Sequence, residues 1–143
     1  MICFLLIQST IQTVHLAPPI PLHGAISLRR QPGTTHLPKL VSTLRKCAEK
    51  QGIKPPWQRP LEIRVVHQEW LDRLTTKPKE AHRKGRYYPA RNGHPSLIYV
   101  AVGRDALVTL AHEWLHHLAS IHGHDWSESW VETHAVACAS QAH

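Results

Sequence analysis

The stretch from Ala106 to Ile121 constrains this 143-residue chain more than any other part of it. Leu107, Val108, Leu110, Ala111, Leu115 and Leu118 put apolar side chains on nearly every face of one helix. The spacing therefore predicts a helix packed within a core, with polar residues only where function demands them. Asp105 stands where an N-cap is expected, and Gly123 allows a turn after the helix. Into this apolar setting are placed His112, Glu113 and His116, whose burial is costly without a partner. Four residues apart, the two imidazoles share one helix face and can converge on one ion. Glu113 is offset by one position, so its carboxylate can reach a water on that ion without being a ligand. That combination suits hydrolysis: the metal lowers the water's pKa towards 7, and the carboxylate takes its proton as hydroxide attacks a carbonyl.

Charge supports the same region. The formal net charge is +7, yet all 17 Lys and Arg lie between Arg29 and Arg104. From Asp105 onward there are five acids, Asp105, Glu113, Asp125, Glu128 and Glu132, and seven His, with no competing cation. Acids and imidazoles gathered in this way are what a divalent metal site requires. Zn2+ is the expected ion. Three cysteines, Cys3, Cys47 and Cys138, form no CxxC pair, which disfavours a ribbon or finger zinc site. Their odd count and wide separation predict buried thiols, although Cys47 and Cys138 can pair in an exported chain.

The third ligand is left open by the sequence. A chain turning near residues 123–124 into an antiparallel helix brings the level between His112 and His116 opposite residues near 132–134, which puts Glu132 first. His122 is second, since His112, His116 and His122 are spaced as HxxxHxxxxxH, a solution that needs a tight turn at Ala119. Glu128, one turn from Glu132 on the same face, is third; it can also act from outside the ligand set or cap its helix. His117, His124 and His134 are read as solvated or packed. For an oxyanion donor, His124, Tyr99 and Tyr88 are conceivable, and nothing selects among them.

Around this centre the chain reads as α+β: a small sheet backed by helices, ending in a helical hairpin. Residues 1–35 read as an apolar and Pro-rich lead or linker, whose opening MICFLLI can be an atypical secretion signal or follow a mis-assigned start. Location stays open between secreted or periplasmic and cytoplasmic. Residues 36–143 form the metal-binding domain. A helix is predicted from Leu37 through Ala48, capped by Thr34 or Thr35 with Pro38 in its first turn and Gly52 at its end. Strands are expected at 61–66 and 97–102, with a short helix at 68–74 between them. Residues 75–96 carry Lys77, Lys79, Arg83, Lys84, Arg86 and Arg91 around Tyr87-Tyr88, broken by Pro and Gly, and read as a long loop or irregular hairpin. Asp125 and Glu128 form a capping pattern for a last helix from about Trp126 to Ser140. No stretch approaches the roughly 20 apolar residues of a spanning helix.

Leu107-Val-Thr-Leu-Ala-His-Glu-Trp-Leu-His116 resembles the active-site helix of zincin metallopeptidases, with a strand before it as in that group. The resemblance implies a peptide or protein substrate added as a strand along the sheet edge, which would be 97–102 here. A Glu on the following helix marks the gluzincin branch, and Glu132 or Glu128 can fill that place. The metzincin branch is disfavoured, because Ala119 replaces a Gly and Met1 is the sole methionine. A closer similarity is to a family of uncharacterised bacterial predicted secreted proteins, matched by His112-Glu113, Leu115-His116, His122, Glu128 and Val131-Glu132 in order and spacing. The three histidines 112, 116 and 122 also resemble the metal site of small endoribonucleases that mature ribosomal RNA. The basic loop 77–91 would suit nucleic acid, but those enzymes carry Gly where Glu113 stands. The remaining alternatives are a basic binding module with a structural metal and an inactive remnant.

Overall fold

The computed structural model describes residues 15–34, 40–52, 59–74 and 83–140. Two strands open the described chain, β1 (Ile20–His23) and β2 (Ile26–Arg30), joined at Gly24, which has a φ of 55°. They are followed by α1 (Leu40–Lys50), β3 (Leu61–Val66), α2 (Gln68–Arg73), β4 (Gly85–Tyr88) and β5 (Ser96–Ala101). Two longer helices close it, α3 (Ala106–His122) and α4 (Glu128–Ser140). The strands form one sheet in the order β1-β2-β3-β5-β4. β2, β3 and β5 run parallel, and β1 and β4 lie antiparallel at the two ends. The fold is mixed α+β, and no described helix is long and apolar enough to cross a membrane.

Alternation along the strands sorts the side chains into two layers. Ile26, Leu28, Leu61, Ile63, Val65, Ile98 and Val100 face the main core with Leu44, Leu110, Leu115 and Val131 from the helices. Val66, Tyr99 and Ala101 point the other way and pack with Leu71 of α2. The core position predicted for α3 is met: Leu110, Ala111, Trp114, Leu115 and Leu118 are all buried. Trp114 satisfies its indole by donating to the Leu44 carbonyl at 3.0 Å, which ties α3 to α1.

Four expectations change. Part of the segment read as lead or linker, residues 20–30, is built into the sheet, because Ile26 and Leu28 find a parallel partner in β3 that no local periodicity announces. Residues before 15, including the segment read as a signal, lie outside the described residues, as do Thr35 and Pro38. Thr34 turns its hydroxyl to the Gln31 carbonyl. The loop read over 75–96 contains β4, and the bridge between Arg91 and His94 closes a β-hairpin whose turn puts Asn92 at φ 49° and Gly93 at φ 79°. Asn-Gly is the pair that favours such a turn. Strand 97–102 is not an edge: β5 is hydrogen-bonded between β3 and β4, which removes it as a track for an added substrate strand.

The helix ends also differ. Asp105 makes no capping bond and instead meets Lys84 at 2.6 Å. Helix α4 begins at Glu128, with the Ser127 hydroxyl accepting from the Trp130 amide at 3.1 Å, so Ser127 is the cap in place of Asp125. Cys47 and Cys138, expected as thiols, form a disulfide with Cα atoms 4.8 Å apart, joining α1 to α4. Packing of both helices against α3 brings them together across a sequence separation of 91.

Candidate metal centre

His112 and His116 lie on one face of α3, with their Nε2 atoms 3.2 Å apart. Glu128, the first residue of α4, reaches both: Oε1 is 2.7 Å from His112 Nε2 and Oε2 is 3.2 Å from His116 Nε2. Among the described residues these three form the one group whose ligand atoms lie within 4.8 Å of one another. A tetrahedral ion with bonds of about 2.0–2.1 Å has ligand atoms roughly 3.3 Å apart. The three separations, 2.7–3.2 Å, lie just below that value. Two imidazoles and a carboxylate are also a donor set that zinc accepts with one position left open for water or substrate.

The preferred third ligand of the sequence reading was Glu132, and the structure brings Glu128 to the imidazoles instead. The cause is the connection. Residues 124–127 form neither helix nor strand. Four residues outside a helix can span up to roughly 13 Å at about 3.3 Å each, about the rise of the helix from 114 to 122 at about 1.5 Å per residue. The chain therefore returns to the level of the ligands before α4 starts. Glu132 lines the neighbouring cavity one turn further on. His122 is exposed at the end of α3 and stacks on His124, outside the group. His124 itself stacks on Trp126, Trp126 on Trp130 and Trp130 on His134, a column of rings that fixes the connection carrying Glu128.

Glu113 is 9% exposed and borders the same cavities as His112 and Glu128. Burial pushes its carboxyl up to about 7; the Glu128 charge adds to the rise, and the guanidinium charges of Arg83 and Arg86 oppose it. Burial also lowers the His116 pKa, which favours the neutral imidazole that can ligate, against the pull of Glu128. His117, on the buried side of α3, is held down to about 4 by burial, with the Arg59 charge contributing. Its Nδ1 lies 3.1 Å from the Tyr87 hydroxyl, so a hydrogen bond links α3 to β4.

Sequence reading missed the reason β4 can approach so closely. A Cβ on Gly85 would sit 2.5 Å from Thr109 Cγ2 and 3.2 Å from Glu113 Oε1. Glycine in a strand commonly marks such a contact, a signal that its place among Pro and Gly breakers in the basic segment hides. Of the conceivable oxyanion donors, Tyr99 is turned to the other face of the sheet, where Arg64 donates to its hydroxyl at 2.7 Å. Tyr88 lines the larger cavity, of about 600 Å³, together with Arg83. Compared with known protein families, characterised proteins and solved structures, the chain matches none. The site's own geometry therefore bears the functional reading.

Proposed function

We propose that this chain is a zinc-dependent hydrolase of peptide bonds, of the gluzincin type, with His112, His116 and Glu128 as ligands and Glu113 as general base. The observation that carries the reading is the convergence of those three ligand atoms beside a buried carboxyl. A divalent ion held there would polarise a carbonyl and generate a nucleophile from water near neutral pH. Glu113, buried beside the ligands, is placed to take a proton at Oε and return it to the leaving amine. β4 ends the sheet among the described residues, so its outer edge can pair with an extended peptide. Gly85 keeps that edge close to Glu113.

Zinc content and hydrolysis of an unfolded protein test the reading on wild type, His112→Ala, Glu113→Gln, Glu128→Ala and Glu132→Ala. One zinc per chain is expected in wild type, Glu113→Gln and Glu132→Ala, with hydrolysis abolished in Glu113→Gln. His112→Ala and Glu128→Ala should lose the metal. Zinc retained by every variant would sink the site. Loss in Glu132→Ala with retention in Glu128→Ala would move the third ligand, and cleavage of structured RNA that survives Glu113→Gln would favour a ribonuclease.

A further inference from the structure

The basic segment around Tyr87 and Tyr88 is not used by the hydrolytic chemistry. Between residues 83 and 104 the chain carries Arg83, Lys84, Arg86, Arg91 and Arg104 and no acid; from Asp105 onward the pattern reverses. Folding turns this linear segregation into two walls of one cleft. The start of β4 supplies the cationic wall, and α3 with α4 supplies the wall bearing Glu113, Glu128 and Glu132. Two cavities, of about 330 and 600 Å³, adjoin the ligands, and Arg83 borders both. Its backbone is anchored, since Gln68 Nε2 donates to the Arg83 carbonyl at 2.8 Å. Its side chain is exposed and makes no ion pair with any described residue, whereas Lys84 is committed to Asp105. The Arg83 charge is felt at Glu113. A cation within electrostatic reach of the general base is also within reach of a substrate group beside the scissile bond.

We propose that the cleft recognises acidic polypeptide, an extended chain along β4 placing a carboxylate against Arg83 next to the bond that is cut. This rests on the hydrolase reading and names its substrate class. Peptide fits the walls better than nucleic acid does. A phosphodiester chain carries charge at every residue and would meet Glu113 and Glu132, where a peptide can present neutral amides. Stacking of bases also needs open ring faces. Tyr87 is half-buried against His117, which leaves Tyr88 as the exposed ring of the pair.

The test is fluorescence anisotropy at low salt with zinc-loaded Glu113→Gln protein. The probes are a Glu/Ala peptide, a Lys/Ala peptide of equal length and an oligouridine. The acidic peptide should bind roughly five- to tenfold more tightly than the basic one. Adding Arg83→Glu should abolish or invert that preference. Adding Arg45→Glu, on α1, which lines neither cavity, should leave it. Equal binding of the two peptides, or oligouridine binding above both, would overturn the proposal. Zinc measured on the same samples and on wild type separates the two levels: lost acid preference with one zinc bound overturns the substrate class alone, whereas wild type without zinc overturns the hydrolase reading and this inference with it.

Discussion

Replacing Gly85 by Ala probes the contact that joins the edge strand to Glu113, the proposed general base. The added methyl would stand 2.5 Å from Thr109 Cγ2 and 3.1 Å from Glu113 Cγ. Carbon atoms settle at about 3.5–4.0 Å, so β4 and α3 must part by roughly 1 Å or more. Overpacking of this kind costs about 1–3 kcal/mol. Alanine recovers about 0.5–1 kcal/mol of the entropy glycine loses in a strand, leaving a net loss of about 1–2 kcal/mol. The functional loss should be larger than the stability loss, because a displacement of about 1 Å at a catalytic group costs on the order of 100-fold in rate. Zinc content should hold, since the atoms nearest the added methyl belong to Thr109 and Glu113 and to no ligand of the proposed set. Thr109→Ser removes the offending methyl and keeps the hydroxyl, so the double variant should regain most of the lost stability and hydrolysis. Urea unfolding, zinc content and kcat on an unfolded protein are the measurements. A Gly85→Ala protein as stable and active as wild type, or a double variant that adds its single effects without rescue, would refute the reasoning.

Three further outcomes are expected. His117 is neutral in the fold with a pKa of about 4, below the 6.5 of an unfolded His, so the unfolded chain binds more protons between those values. Its contribution is complete above about pH 6.5 and falls by about 3 kcal/mol on going down to about pH 4; urea unfolding of chelated protein should show that slope, and His117→Gln should lose that part of it. Replacing both Cys47 and Cys138 by Ala frees a loop of separation 91; chain entropy alone predicts about 4–5 kcal/mol of lost stability, and an unchanged urea midpoint would show that the bond is not formed in solution. Ser127→Ala removes the cap of the helix that carries Glu128, which should cost about 1 kcal/mol and weaken zinc retention in a competition with chelator; retention equal to wild type would mean that the ring column alone places Glu128.

Several elements were legible because their signals are local. The strand at 61–66, the short helix after it and the apolar helix from 106 follow from alternation, helical spacing and turn residues that lie next to one another in the chain. The two histidines and Glu113 belong to the same class, since four-residue spacing on a helix sets their relation whatever surrounds it. β2 and β4 were not read as strands, since each is short and partners a strand 35 or fewer positions away in an order that periodicity does not encode. The Asn92-Gly93 turn was a usable signal for β4, obscured by the cations around it.

Taken by itself, the sequence determined that a buried helix presents His112, Glu113 and His116 towards an acidic segment free of Lys and Arg. Tertiary structure alone decided what meets them. Residues 124–127, outside helix and strand, connect α3 to α4 and bring Glu128, ahead of Glu132, to the imidazoles, a distance that depends on rise per residue and cannot be counted from residue number. The sheet order made β4, not β5, the edge strand beside the helix, and the missing side chain at Gly85 let it approach. Separation along the chain carries no information about such contacts, because they are set by the packing of several elements at once.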